Sequence, residues 1–541
     1  MSETPATPSR EDIYIPIQDG DSTIQRIGSA AGGRSFRKAR QQSSRRRLSR
    51  LESLIHEEHA DALLPTKVLY VSVLIALMGA FQFGWLLSQL NYLPFNTKKT
   101  CAAHPIQEGT CIMFPGHSKH EWTMNVTAWI VGGALGAVLS GIPADKFGRK
   151  RTTFLNAFVM ITGALVEVVA KDIYVFSLGR LLSGIATGTA INVSNVLISE
   201  ISPSQMRGLF STGLQVGVAL GSLAVTTAHY VIGSHHEYAW RLLVGFPIVL
   251  GGVQILLMPL MTQSPVWLVA HGKVDAAAAE MRRLYQPTNY DAILKTLVAA
   301  HDEEQREIAG INPWSALFSR KYMRQLLIAI TLCSAQQLCG INAIMYYSAA
   351  IFNSAGITDP RVANTIVNLI RTASILVAAK VMDKFKRKTL LCGGMTIMAI
   401  AGTGLVYALC NANSAVAVAS VGIYVAAFCL SIGPMAWMVS SELFPDFLHA
   451  NAGSVGTMFT WVCNFLIGVY YPILSSDDKM GNYAFCIFIG LLVAFVLFVF
   501  FVVPETGHKT YVEIQQCFGI DDNTSAHHDD GAPADPWATD K

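Results

Sequence analysis

Apolar residues in this chain come in runs of about twenty, long enough to cross the hydrocarbon core of a bilayer as helices. Val68–Leu90, Thr152–Ala170, Leu242–Met261, Leu391–Cys410 and Phe485–Val503 are examples. About twelve such runs follow one another, several broken by Gly, Asn, Gln or Pro. The pattern predicts an all-α polytopic membrane protein with twelve transmembrane helices. Three polar stretches punctuate it. Residues 1–66 are rich in Ser, Arg, Gly and Gln and read as a disordered cytoplasmic tail. Residues 67–262 hold a first six-helix bundle. Residues 263–322 read as a cytoplasmic helical linker, with helices over Val274–Tyr285 and Tyr290–Ile308. Residues 323–504 hold a second bundle, and 505–541 form an acidic, His-rich tail that reads as disordered.

The two bundles repeat one another. Asp-Lys-Phe-Gly-Arg-Lys runs from Asp145 to Lys150, and Asp-Lys-Phe-Lys-Arg-Lys runs from Asp383 to Lys388, 238 positions later. Glu200-Ile-Ser-Pro203 with Arg207 is echoed by Glu442-Leu-Phe-Pro445 with His449. Ser264-Pro265 stands where Pro504-Glu505-Thr506 stands in the second half. A duplicated membrane chain of this kind is the mark of a two-bundle transporter.

Composition strengthens the membrane reading. The chain is 52% hydrophobic and 14% charged, against about a quarter charged in soluble domains. That excludes a large soluble enzyme. The net charge of +3 identifies no partner, but its distribution sets orientation. Nine Lys/Arg and no acid lie between Arg26 and Arg50, and both Asp-Lys-Phe corners are basic. Excess Lys/Arg marks the cytoplasmic side, so both corners and both termini are expected there. The first 66 residues lack the apolar core of a cleavable signal peptide. Arg45-Arg46-Arg47-Leu48-Ser49 reads either as a basic-directed kinase site or as a patch touching anionic lipid. Cys101 and Cys111 share the first non-cytoplasmic loop, as a disulfide or as two free thiols. No cysteine–histidine set has zinc spacing, and no cofactor is expected. Three Asn-x-Ser/Thr matches, at Asn125, Asn192 and Asn523, lie against spans or in the cytoplasm and are expected to stay unmodified.

Two constellations carry chemistry. Charges at the cytoplasmic span ends can pair where the bundles meet. Asp145, Arg149, Arg151, Glu200 and Arg207 are candidates in the first half; Asp383, Arg387 and Glu442 in the second. Each exposed pair contributes about 0–1 kcal/mol. Several together make the breakable latch that alternating access requires. The alternative is that they fix topology and stay solvated. Amides inside apolar runs are the second constellation: Gln215, Gln336, Gln337, Asn342 and Asn464, with Trp437 following Gly433-Pro434. An unpartnered amide in hydrocarbon is costly, so these face a polar cavity or another helix. Groups that donate and accept, beside an aromatic face, suit a neutral polyhydroxyl ligand.

The chain resembles the sugar porter family of the major facilitator superfamily over roughly residues 67–515. The motifs are Gly141-Ile-Pro-Ala-Asp145-Lys-Phe-Gly148-Arg149-Lys150, Gly179-Arg180, Glu200-Ile-Ser-Pro203 with Arg207-Gly208, and Trp240-Arg241. The second half adds Gln336-Gln337-Leu-Cys-Gly-Ile-Asn342, Gly433-Pro434 with Trp437, Glu442-Leu-Phe-Pro445 and Pro504-Glu505-Thr506. Phe81-Gln82-Phe83-Gly84 and Trp461-Val-Cys-Asn464 are similar to eukaryotic facilitative hexose transporters. The resemblance implies the major facilitator fold. It implies a monosaccharide site at Gln215, Gln336, Gln337, Asn342, Trp437 and Asn464. It also implies a charge network as the latch, including Arg180, which in proton-coupled members would face an acid of the first span and in this sequence has no evident partner there. The partners implied are a sugar and the lipid bilayer, with no nucleic acid and no required oligomer. The plasma membrane is the expected location, a vacuolar or other endomembrane the alternative.

Departures from the family pattern sharpen the expectations. Proton-coupled members carry an Asp after the Phe-Gly-aromatic motif, where this chain has Leu86, and residues 68–99 contain no acid. Facilitated diffusion is therefore expected over symport, with Glu167 as the acid that keeps symport an alternative. Gln263 and Val266 replace the Glu and Arg of the Glu-Ser-Pro-Arg motif, Lys386 replaces a Gly, and His449 replaces an Arg. The second-half latch is thus expected to be weaker or pH-sensitive. Arg371 falls where family members bind sugar with an Asn. It reads either as a contact for an anionic sugar or as a cation placed in a wet cavity or paired with an acid. A non-transporting sugar sensor on the same fold is the competing class. No nucleophile–base set supports an enzyme.

Overall fold

The computed structural model describes residues 64–92, 101, 113–231, 239–286, 293–295, 297–299, 301, 312–476, 478–507, 509 and 511–518. The basic tail with Ser49, most of the Tyr290–Ile308 segment, Cys111, Asn523 and the side chains of Arg207 and Asp383 lie outside the described residues.

The first half comprises α1 (Lys67–Ser88), α2 (Lys119–Leu139), the short corner helix α3 (Gly141–Phe147), α4 (Arg149–Val169), α5 (Ile173–Ile201), α6 (Ser204–Val231) and α7 (Ala239–Leu257). A linker follows with α8 (Pro265–Ala270), α9 (Val274–Leu284) and α10 (Pro313–Leu317). The second half holds α11 (Met323–Leu338), α12 (Ile341–Ser354), α13 (Pro360–Lys384), α14 (Arg387–Cys410), α15 (Ser414–Leu430), α16 (Ile432–Glu442), α17 (Asp446–Leu474) and α18 (Cys486–Val502), then α19 (Tyr511–Gln516). The pairs α11–α12 and α15–α16 are each one broken span.

Among the described residues, eleven helical segments are long and apolar enough to cross a membrane. The missing twelfth is α13. It has the length, 25 residues, but Asn364, Asn368, Arg371 and Lys380 dilute its apolar character. Polar residues within a span turn toward the bundle interior rather than lipid, and Asn364 and Asn368 are buried there.

Local chemistry sets the boundaries. Ser118 and Glu121 form a reciprocal capping box at the start of α2. Asp172 and Asn413 cap α5 and α15. Asp359 accepts from the Arg361 backbone N–H (3.1 Å) ahead of Pro360 and starts α13. The break between α11 and α12 falls at Gly340, whose φ of +87° is left-handed. Thr66 N–H donates to Leu284 O (2.9 Å), and Gln286 N–H to Leu64 O (2.8 Å), tying the approach to α1 onto the linker. Within the tail that the sequence predicts to be disordered, residues 511–516 form a helix. Gln515 of α19 donates to Leu443 O (3.1 Å) and accepts from Gln325 (2.8 Å), docking the tail on the second half.

Lipid supplies no hydrophobic drive between helices, so backbones pack closely through small residues. A Cβ on Gly184 of α5 would lie 2.3 Å from Trp129 O of α2. Across the halves, α2 meets α17 and α6 meets α13. The second span of each half thus packs on the fifth span of the other, the exchange that a duplicated sequence demands.

Contacts between the halves are concentrated away from the Asp-Lys-Phe corners. Asn91 bonds α12 through Met345 O (2.9 Å), Ser348 Oγ (2.6 Å) and the Ala349 N–H (3.0 Å). The Arg361 guanidinium covers the Tyr230 ring at 5.2 Å, and Thr365 meets the Tyr230 hydroxyl (3.3 Å). Midway, Trp461 of α17 faces Phe83 and Trp129 across the seam. At the corner end the described ion pairs stay within one half. Among the described residues, the expected latch between bundles is therefore not made in this conformation, and the halves are joined at the opposite end. Cys101 is disulfide-bonded. Asn125 is fully buried and accepts from Ser177, and Asn192 donates to Ala137 O (2.8 Å), so both are engaged inside the first half.

Candidate functional site

The break at Gly340 turns the last turn of α11 toward the first turn of α12. Asn342 Nδ2 can then donate both to Gln337 Oε1 and to Asn464 Oδ1 of α17 (2.9 Å). The Tyr346 hydroxyl donates to the same Asn464 oxygen (2.9 Å). Gln337 Nε2 donates to Gln336 Oε1 (3.2 Å), and Gln336 Nε2 to Gly433 O of α16 (2.6 Å). Four of the expected amides thus form one chain of hydrogen bonds across three spans. Asn464 Nδ2 donates to no group among the described residues, which leaves N–H donors for a ligand. Trp129 and Trp461 (ring centroids 6.3 Å apart) add aromatic faces, and Tyr346 meets Trp129 edge-on (6.4 Å). Tyr346 and Trp129 join this candidate site and were missed by sequence reasoning; a phenol and an indole in an apolar run read as core.

Two expected members stand apart. Gln215 is exposed on α6 and makes no hydrogen bond to the cluster. Trp437 is on α16 in a cleft toward the corner end, with Cys333, Ser440, Phe444, His449 and Gly456. Arg371 of α13 points Nη1 at Ser222 Oγ of α6 (3.3 Å) and Met345 Sδ of α12 (3.7 Å). Met345 is one helical turn beyond Asn342, so Arg371 adjoins the amides.

A second buried cluster lies in the first half. Glu167 is 0% exposed and accepts from Gln89 (3.1 Å) and Ser183 (2.7 Å). Arg180 lies over the Trp129 ring (5.6 Å), with only long contacts to Leu86 O (3.4 Å). Arg180 is therefore no part of the corner network with which the sequence grouped it. It belongs to the interior, about two turns into α5 from the opposite end.

Residues 71–518 match the family model described as "Sugar (and other) transporter". The chain belongs to this family. It is 30% identical over 467 residues to the facilitated glucose transporter member 3 of solute carrier family 2 from Mus musculus, covering 84% of this chain and 93% of that one. It is 31% identical over 447 residues to plastidic glucose transporter 4 of Arabidopsis thaliana, covering 82% and 79%. Among solved structures it is similar to the inward open conformation of the xylose transporter XylE from E. coli, with a TM-score of 0.70, 22% identity, and coverage of 83% and 99%. The fold is accordingly that of a major facilitator, twelve helices in two six-helix bundles. The family is one of transporters and not of enzymes.

In this sugar transporter family member the corners are built on one plan with unequal parts. Gly148 (φ +85°) turns α3 into α4, and Arg149 then bonds Asp145 (3.2 Å) and Glu200 (2.8 Å). Gln263 Oε1 accepts from the Lys150 backbone N–H (3.0 Å), and Trp267 Nε1 donates to Asp145 O (2.8 Å). In the second half, Glu505 accepts from the backbone N–H groups of Arg387 (2.9 Å) and Lys388 (3.2 Å). Gln263 and Glu505 are thus equivalent caps of α4 and α14, one neutral and one charged, and a helix N-terminus favours the charged one. Arg387 stands 3.7 Å from Glu442. His449 Nε2 meets Phe444 O (2.8 Å). Arg151 is exposed and joins no described ion pair.

Proposed function

We propose that the protein moves a neutral hexose down its gradient across a membrane by alternating access. The observation that carries this is the amide chain Gln336–Gln337–Asn342–Asn464, joined by Tyr346, with unspent donors on Asn464. Alternating donors and acceptors at the seam of two bundles match sugar hydroxyls. Relatives named as facilitated glucose transporters support hexose as the substrate class. The absence of an acid from α1 supports facilitated diffusion. In this reading Gln336, Gln337, Asn342 and Asn464 bind the sugar, with Gln215 and Trp437 contributing as the chamber changes shape. Asp145, Arg149, Glu200, Arg207, Asp383, Arg387, Glu442 and His449 regulate closure at the corner end. Residues 67–262 and 323–504 rock about the site, and residues 263–322 link them. We place the protein in the plasma membrane with corners, linker and both termini in the cytoplasm, as the basic residues near the span ends support.

Counterflow of labelled glucose into proteoliposomes, with and without a pH gradient, tests this. Flux that ignores the gradient is the expected result. Sugar binding without flux would instead favour a sensor, and flux that follows the gradient would favour a symporter.

A further inference from the structure

Arg371 is the interior cation that the hexose reading leaves without a task. Arg149, Arg361 and Arg387 each stand beside a carboxylate, and Arg241 donates to the carbonyls of Val168 and Ala170. Arg371 has no carboxylate partner among the described residues; the ionisable side chain facing it is the Cys429 thiol. Its contacts, to Ser222 Oγ at 3.3 Å and Met345 Sδ at 3.7 Å, are long and engage one nitrogen of a group with five N–H donors. The residue is part-buried. Twelve helical residues separate it from Asp383, about 18 Å, which places it near mid-span. Through Met345 it stands about one helical turn from Asn342 and the amide chain.

A guanidinium in the middle of a span, without a counter-ion, is expensive to keep and marks a ligand contact. We propose that Arg371 makes this site accept a hexose that carries one carboxylate, a hexuronate, with the amide chain holding the ring hydroxyls. This rests on the sugar-site reading above and extends its substrate class from a neutral hexose to a hexose acid. The planar fork of the guanidinium matches a carboxylate in two parallel bonds. A sugar phosphate fits less well. Its second negative charge would need a second free cation, and Arg180 is turned to Leu86 O within reach of the Glu167 field. The geometry points to a monoanion.

The test compares glucuronate with glucuronamide, its neutral amide, as competitors of glucose counterflow by the full-length protein in proteoliposomes. The readout is the ratio of their half-inhibitory concentrations within each variant, so a general loss of activity does not move it. The wild type is expected to prefer the acid by about tenfold or more, the range of one charge-assisted pair. Arg371→Asn is expected to bring the ratio toward one, with Arg371→Lys between. A wild-type ratio near one, or the same ratio in wild type and Arg371→Asn, overturns the proposal. If Arg371→Asn does not fold, the wild-type ratio and Arg371→Lys decide. If no glucose flux is seen, transport fails as a reading, and calorimetric binding of the same two compounds to the purified protein still decides the role of Arg371.

Discussion

Arg149 donates to Glu200 at 2.8 Å with both side chains 13% exposed, so the first-half corner is closed by a nearly dry ion pair. Its counterpart is looser: Arg387 and Glu442 stand 3.7 Å apart and more exposed. Removing one partner of a buried pair strands the other charge and costs about 3–5 kcal/mol, whereas an exposed pair is worth about 0–1 kcal/mol. Arg149→Met is therefore expected to lower stability by about 3 kcal/mol and Arg387→Met by about 1 kcal/mol or less. Thermal unfolding in detergent measures both. Equal losses would contradict the asymmetry.

Asn464 Oδ1 is the meeting point of Asn342 and Tyr346. Asn464→Ala leaves both donors without an acceptor and removes the free amide N–H groups. A rise in the half-saturation concentration for hexose of about tenfold or more is expected, since one hydrogen bond to an uncharged group is worth about 0.5–1.5 kcal/mol and several are lost. Tyr346→Phe removes one of them and should move the constant by about threefold. Initial-rate uptake separates the two.

Gly340 is irreplaceable for two reasons. Its φ is +87°, and a Cβ there would lie 2.5 Å from the Phe488 ring. Gly340→Ala combines left-handed strain of about 1–2 kcal/mol with that overlap. The expected outcome is a folded-protein yield well below wild type, partly restored by Phe488→Ala. Full stability in Gly340→Ala would show that the break between α11 and α12 is not needed.

Asn91 makes three bonds from the end of α1 to one turn of α12. They span the halves at the joined end. Asn91→Leu is expected to weaken that closure by about 2–3 kcal/mol, counting about 1 kcal/mol per bond. Hydrogen exchange over Met345–Ala349 should then speed up, while the corner helices exchange as before. Unchanged exchange at Met345–Ala349 would remove Asn91 as a closure residue.

Asp359, outside the spans, has its carboxyl held below the ordinary aspartate range, chiefly by side-chain hydrogen bonds from Arg361 at 2.7–3.1 Å. A lowered folded-state value means stability that is present above the unfolded value and lost as pH falls through the folded one. Asp359→Asn keeps the helix cap but cannot titrate. The wild type is expected to be more stable by under about 1 kcal/mol at neutral pH, given the exposure of the pair. That margin should vanish under acid conditions in a pH series of unfolding temperatures.

The spans, the duplication and the amides of the candidate cluster were legible in the amino-acid order because hydrocarbon tolerates few polar groups. Gln336, Gln337, Asn342 and Asn464 were conspicuous for that reason, and the structure brings all four together. Tyr346 and Trp129 were not, since an aromatic residue suits a core and a site equally. Asn91 was hidden because it lies at a span end, where an amide needs no explanation. The latch pairing was illegible for a different reason. Which acid meets which base depends on how the two halves are tilted, and neither half encodes that tilt in its own periodicity. The tertiary structure decided that the described ion pairs stay within each half, that Arg180 lies inside rather than at the corner, and that Arg371 reaches Ser222 and Met345 with no acid beside it among the described residues. Each of these depends on distances between separate helices. Apolar patterning determines which face of a helix avoids lipid, but only packing determines what that face meets.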